Sequence, residues 1–342
     1  MRLDEILRLR IARHHLGPAK GSDVVAVARR VSGLHAQVAA SAQASADLRL
    51  PEPADLEGAL YKTRTLVRTW AARGTLHLLP AADLPHWVAA MSTRTRETTG
   101  SWLKYHGVTE EQMRDIIAAT PDVLGGTPLT REELAAEIVA ATGHRDLLGP
   151  LTQGFGAILK PLAFRGLLCS GPPRGRNVTF VAPRQWFGAF ELPPVEEAID
   201  AIALEYLGAY GPAAPEEFAR WFDLKPALAK KSFQRLADRL TEVPGFGHQP
   251  AEPADGVPAG DTVLLLPAFD PYVAGSTRQL DRISSGPRTA VSRPQGWISP
   301  TLVVNGRIEG IWEDSAEGPR VSPFGKLPIA VRRALPPDAI FV

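Results

Sequence analysis

Two features between residues 109 and 181 constrain the fold more than any other stretch of the chain. The first is Thr130-Arg131-Glu132-Glu133, a capping box in which hydroxyl and carboxylate satisfy backbone N–H groups reciprocally at a helix start. It predicts a helix over 130–141. The second is Gly171-Pro172-Pro173-Arg174-Gly175-Arg176, which continues neither a helix nor a central strand. It must be a turn between the apolar runs 167–170 and 178–181. With helical spacing at 109–119 and again at 150–165, the order is helix, helix, longer helix, hairpin. That is the winged-helix plan, with a basic tip on the wing.

The same plan recurs on either side. Upstream, Leu3, Ile6, Leu7 and Ile11 recur at helical spacing over 3–15, Gly17-Pro18 stops that helix, and a second follows over 23–34. A third is predicted over 55–70, then a strand over 74–79. Downstream, helices are predicted over 195–209, 215–221 and 225–240. Beyond residue 241 the character changes: 263–266, 302–304 and 308–311 are strand-like, and Asn305-Gly306 is a tight hairpin turn. The Pro-, Ala- and Gly-rich stretch 249–260 reads as a surface loop. The expected class is mainly α with β (α+β). Three tandem winged-helix units (1–108, 109–190 and 191–240) precede a β-rich domain over 241–342.

Composition narrows the function. Of 342 residues, 44% are apolar, enough for more than one core. Apolar runs such as 262–266 are far too short to span a bilayer, and Met1 leads into Asp4 and Glu5 rather than a leader sequence. A single cysteine, Cys169, excludes an internal disulfide or a cysteine-built zinc site, and reads as a small buried hydrophobe. A cytoplasmic protein without cofactor or metal is expected. The seven tryptophans, being scattered, read mostly as core. Net charge is only +1, but residues 1–110 hold 15 Lys and Arg against 10 Asp and Glu. Residues 160–185 hold five basic residues and no acidic one. Local basic surface on a balanced chain suits a DNA-binding face.

Gly33-Leu34-His35-Ala36-Gln37, Arg68-Thr69-Trp70-Ala71-Ala72-Arg73-Gly74-Thr75-Leu76-His77-Leu78-Leu79, Leu266-Pro267-Ala268-Phe269-Asp270-Pro271-Tyr272 and Pro300-Thr301-Leu302-Val303-Val304-Asn305-Gly306-Arg307 together span nearly the whole chain. In that combination the chain resembles the bacterial winged-helix DNA glycosylases typified by azinomycin-resistance crosslink glycosylases. The family carries a catalytic pair separated by one apolar residue, usually Gln–apolar–Gln or Gln–apolar–Asp. The matching positions are His35, Ala36 and Gln37, so the first departs from the common form and the second is retained. Asp270 and Tyr272 are weaker candidates, because Val273-Ala274-Gly275-Ser276-Thr277 departs from the more apolar family run.

The resemblance implies hydrolysis of the N-glycosidic bond of bulky N7-alkylguanine, with interstrand crosslinks as candidate substrates, in self-resistance to a DNA-alkylating antibiotic. N7-alkylated guanine is already cationic and leaves without a strong acid. What helps is a side chain that orients water under the sugar, and dipoles near the developing positive charge. His35 is assigned as base and Gln37 as water-positioner, with exchanged roles as the alternative. Residues two apart share a face only on extended or irregular backbone, so the helix must end or distort near Gly33. Cations expected on duplex DNA are Lys62, Arg64, Arg68 and Arg73 with His77 near the first wing, and Lys160, Arg165, Arg174 and Arg176 near the second. The protein is expected to act as a monomer on double-stranded DNA carrying alkylated purines, with no membrane association and in the nucleoid. A non-enzymatic DNA-binding regulator is the rival reading. It leaves unexplained three winged helices in one chain and the pair at the catalytic positions.

Overall fold

The structure, a computed structural model, describes residues 1–95, 99–251, 256–257 and 260–342. Much of the stretch expected as a loop over 249–260 therefore lies outside the described residues. The chain divides into two compact units, each assembled from separate segments: Met1–Ala54, Leu204–Phe218 and Phe233–Val342 form the first, Asp55–Ala203 and Ala219–Ser232 the second. Helix and strand are mixed, with strands concentrated toward the C-terminus. Among the described residues, no helix is long and apolar enough to cross a membrane.

The first unit is built on a five-stranded sheet in the order Ile340–Phe341, Arg320–Pro323, Arg307–Glu313, Thr301–Val304, Val263–Leu266. All pairings are antiparallel except the outermost, between Arg320–Pro323 and Ile340–Phe341. Asn305 and Gly306, at φ 51° and 85°, make the expected two-residue turn between the paired Val304 and Arg307. Successive strand residues point to opposite faces, so each face has its own core. Val303 and Ile308 pack with Leu7 and Ile11 of the Leu3–Arg13 helix. Leu302 and Val321 pack with Val331 of the Ile329–Ala334 helix.

In the second unit the capping box forms as expected. Glu133 N–H donates to Thr130 Oγ1 at 3.3 Å, Thr130 N–H donates to Glu133 Oε2 at 2.8 Å, and the helix runs Arg131–Thr142. A hairpin forms where expected, from Cys169–Arg174 and Asn177–Val181, but Gly171–Arg174, expected in the turn, belong to its first strand across an irregular register, leaving Gly175-Arg176 as the turn; Leu129–Thr130 adds a third strand beside Asn177–Val181.

Two expected helices are broken up. Over 55–70 only the first half is helical, ending in a π-helix at Gly58–Lys62, and a strand at Leu66–Trp70 takes the rest. Arg64 adopts φ 56°, which ends helical geometry, and Thr63, Thr65, Val67 and Thr69 are β-branched residues that favour extended backbone. That strand pairs with Leu76–Pro80. Over 150–165 a single helix is replaced by Leu148–Thr152, Gly154–Leu159 and Lys160–Phe164. Gly156 sits at φ 73° there, and Pro161 removes a donor. The tail of the helix expected over 225–240 is likewise a 3₁₀ turn, Ala237–Arg239, and a strand, Leu240–Val243. Helices at Ala39–Asp47, Leu84–Met91 and Gly100–Tyr105 were not foreseen; the first is mostly Ala and Ser, with no apolar stripe.

Candidate active site

The Val24–Arg30 helix begins on Asp23, whose carboxylate accepts the N–H groups of Val25 and Ala26, both at 2.9 Å. It ends before Ser32 and Gly33, which take φ 53° and 92°. Two consecutive left-handed residues turn the chain sharply, and only glycine adopts that conformation without strain. Gly33 N–H closes the helix on Ala28 O at 2.8 Å. The next residues, Leu34–His35, are extended, and the Ala39–Asp47 helix follows at once. His35 therefore ends a two-residue strand and Gln37 lies in the bend after it, between two helices, as the break at Gly33 required.

Their environments differ. His35 is 6% exposed, and its imidazole lies flat on Phe269, with ring centroids 4.9 Å apart and planes 3° from parallel. Ala36 is buried, and Gln37 is exposed. Of the pair, Gln37 is the more exposed.

Phe269 is held by unusual means. Its own backbone takes φ 59°, uncommon for a non-glycine residue. The next residue, Asp270, is fully buried; its two carboxylate oxygens accept from the Arg49 guanidinium at 2.7 and 2.8 Å. Arg49 is buried too and donates to Ser45 O at 2.7 Å. Asp270 also caps the Pro271–Ala274 helix through Tyr272 N–H at 2.9 Å. Tyr272 Oη donates to Gly306 O at 2.6 Å, and burial pushes its phenol up. These contacts anchor the segment that carries the ring beneath His35, with Gly306 of the Pro300–Arg307 stretch accepting from Tyr272. Asp270 and Tyr272 are both buried and engaged in these contacts. His14 is buried edge-on between Tyr210 and Tyr272, with centroids 5.1 and 5.3 Å away. Burial, then the charges of Arg49, Arg10 and Arg30, hold its pKa well below the usual histidine value.

A model of the family described as DNA glycosylase AlkZ-like matches residues 28–335. The chain belongs to that family. The AlkZ-like chain is 36% identical over 336 residues to an interstrand DNA cross-link repair glycosylase of Streptomyces sahachiroi, covering 94% of this chain and 90% of that relative. The solved structure of Streptomyces sahachiroi DNA glycosylase AlkZ superposes with a TM-score of 0.89 at 33% identity, covering 98% of this chain and 94% of that one.

In this AlkZ-like chain the expected DNA-facing cations separate into distinct groups. Lys62, Arg64, Arg165, Arg174 and Arg176 are exposed; Arg68, Arg73 and Lys160 are half-buried. Arg73 and Gly74, both at positive φ, turn the chain between Leu66–Trp70 and Leu76–Pro80, and the Lys160 ammonium lies beside Gly74. Arg174 forms an ion pair with Glu133, so that wing cation is already engaged. Arg64 lies 3.7 Å over the Trp186 ring and donates to Trp186 O at 3.1 Å. His77 departs from expectation. Leu76 is half-buried and His77 is 3% exposed, so its side of the strand faces the interior rather than open solvent. Burial lowers its pKa to about 4, against a smaller opposing hydrogen bond with Thr75 O at 2.9 Å. A neutral, buried imidazole is no phosphate ligand.

Sequence reasoning missed Phe269 and Arg49 as parts of the site. Phe269 lies within Leu266–Tyr272, but nothing local couples either residue to its distant partner.

Proposed function

We propose that this chain is a monofunctional hydrolase that cleaves the N-glycosidic bond of bulky N7-alkylguanine in duplex DNA, with interstrand crosslinks as candidate substrates, in repair of damage by a DNA-alkylating antibiotic. The observation that carries the reading is the exposed Gln37 in the bend after Leu34–His35, two residues from a histidine lying flat against Phe269. A fixed link holds a polar side chain at one position, which is what transition-state stabilisation requires. Gln37 accepts a hydrogen bond from water and orients it toward the sugar; His35 receives the proton as the water adds. The cationic leaving group needs no acid and no metal. The exposed Lys62, Arg64, Arg165 and Arg176 are the duplex's first phosphate contacts, joined by the half-buried Arg68, Arg73 and Lys160. The β-rich domain over 241–342 supports the motif. The protein works as a monomer in the bacterial nucleoid.

The test is single-turnover base release from an N7-alkylguanine duplex. Gln37→Ala should bind damaged DNA as the parent does, melt within a degree or two of it, and release base roughly 10²–10³ more slowly. Parent-like release by that variant would remove Gln37 from the chemistry. Tight binding without release by the parent protein would favour a DNA-binding role without catalysis.

A further inference from the structure

Trp297 is the exception among the seven tryptophans. The other six are buried or half-buried, whereas Trp297 is 44% exposed. It ends an exposed tip formed by Arg293, Pro294, Gln295, Gly296 and Trp297. The tip is rigidly based. Arg293 N–H donates to Trp297 O at 2.8 Å, Ser292 bridges Ile298, and Val291 and Ile298 are buried in the core beneath. Gln295 and Gly296, at φ 62° and 79°, reverse the chain just before the indole. The indole then meets Phe269 in a T-shaped contact, centroids 4.9 Å apart, and Phe269 carries His35 on its own ring. The three rings touch in series, His35 stacked on Phe269 and Phe269 nearly perpendicular to the exposed Trp297.

An exposed indole on a tethered polar tip exposes a large apolar surface that folding would otherwise bury. Its flat π-face suits another flat ring, and stacking accepts any planar aromatic whatever its hydrogen-bonding edge. We propose that Trp297 is the stacking platform of the active site, taking the planar aromatic ring system of the damaged nucleotide beside His35 and Gln37. The proposal rests on the glycosylase reading of that pair. Two sources supply such a ring: the alkylated purine itself, or a fused aromatic group attached to it. Arg293, exposed on the same tip, is placed for an adjacent phosphate.

The experiment compares parent, Trp297→Ala, Trp297→Leu and Trp297→Phe on two duplexes, one with N7-methylguanine and one with an N7-guanine adduct bearing a fused aromatic system. Stacking on one aromatic side chain corresponds to roughly a five- to hundred-fold effect. Ala and Leu should lose that much in kcat/KM, while Phe stays within about three-fold of the parent. Loss on both duplexes identifies the purine as the stacked ring; loss on the aromatic adduct alone identifies the adduct. Leu equal to the parent on both overturns the proposal, because Leu keeps the apolar bulk without the π-face. A second readout does not need turnover. Binding either damaged duplex should quench tryptophan emission in the parent, and Trp297→Phe should abolish most of that quench. An undiminished quench in Trp297→Phe also overturns the proposal. If the parent releases no base, the glycosylase reading fails, while the quench still decides whether Trp297 stacks.

Discussion

Asp270→Ala should be among the most damaging single changes in the first unit, although Asp270 does no chemistry. Both Asp270 and Arg49 have side chains with no solvent exposure, joined by two short charge-assisted bonds. Removing the carboxylate leaves a buried guanidinium without its counter-charge, which costs about 3–5 kcal/mol. The lost cap on Pro271–Ala274 falls at the lower end of a ~0.5–2 kcal/mol range, that helix being a single turn. A total near 4 kcal/mol is a large part of a typical folding free energy of about 5–15 kcal/mol. Urea denaturation followed by circular dichroism should show it as a lowered midpoint. Arg49→Met with Asp270→Leu removes both charges together and should recover at least ~2 kcal/mol of the loss, because no charge is then stranded. Base release by Asp270→Ala, assayed well below its melting range, should also fall, since the ion pair anchoring the residue next to Phe269 has gone. An Asp270→Ala protein within ~1 kcal/mol of the parent would refute the brace. So would a double variant whose loss is the sum of the two singles.

Two further outcomes follow from the electrostatics. His77 has its pKa lowered from 6.5 to about 4 by burial, so the folded state resists protonation more than the unfolded chain does. Its contribution is complete above pH 6.5 and is lost as pH falls toward 4, at most ~3 kcal/mol; urea midpoints from pH 7 to 4 should fall less steeply in His77→Leu, and equal slopes would refute this. For DNA binding, Arg176→Ala should reduce the log–log salt slope by about 0.9. Arg174→Ala should change it less, since Arg174 is paired with Glu133; equal effects in fluorescence-anisotropy titrations would show that DNA displaces that pair.

What the sequence disclosed was local. The Thr130–Glu133 box, the Asn305-Gly306 turn and the break at Gly33 each depend on a few adjacent residues, and each was formed as expected. The misread helices over 55–70 and 150–165 failed because apolar spacing was weighed above Thr63, Arg64 and Thr65 in one case and Gly154, Gly156 and Pro161 in the other. At the site, the residue types of the pair were legible, but their unequal exposure was not. His35 is buried by Phe269, and the brace under Phe269 comes from Arg49; neither contact has a periodic or nearest-neighbour signature. Trp297, too, reads as core until its tip is seen to stand clear of it.

The bond between Arg49 and Asp270 joins residues 221 apart in the chain. During synthesis at roughly 5–20 residues per second, Arg49 emerges some ten to forty seconds before its partner exists. Throughout that interval the Gly33–Gln37 link has no ring to lie on and the guanidinium has no counter-charge. The first unit closes only when the last third of the polypeptide arrives, so an incomplete chain on the ribosome carries the motif without an assembled site. Until Phe269 and Asp270 have been made, His35 has no ring to stack on and Arg49 no carboxylate to bind.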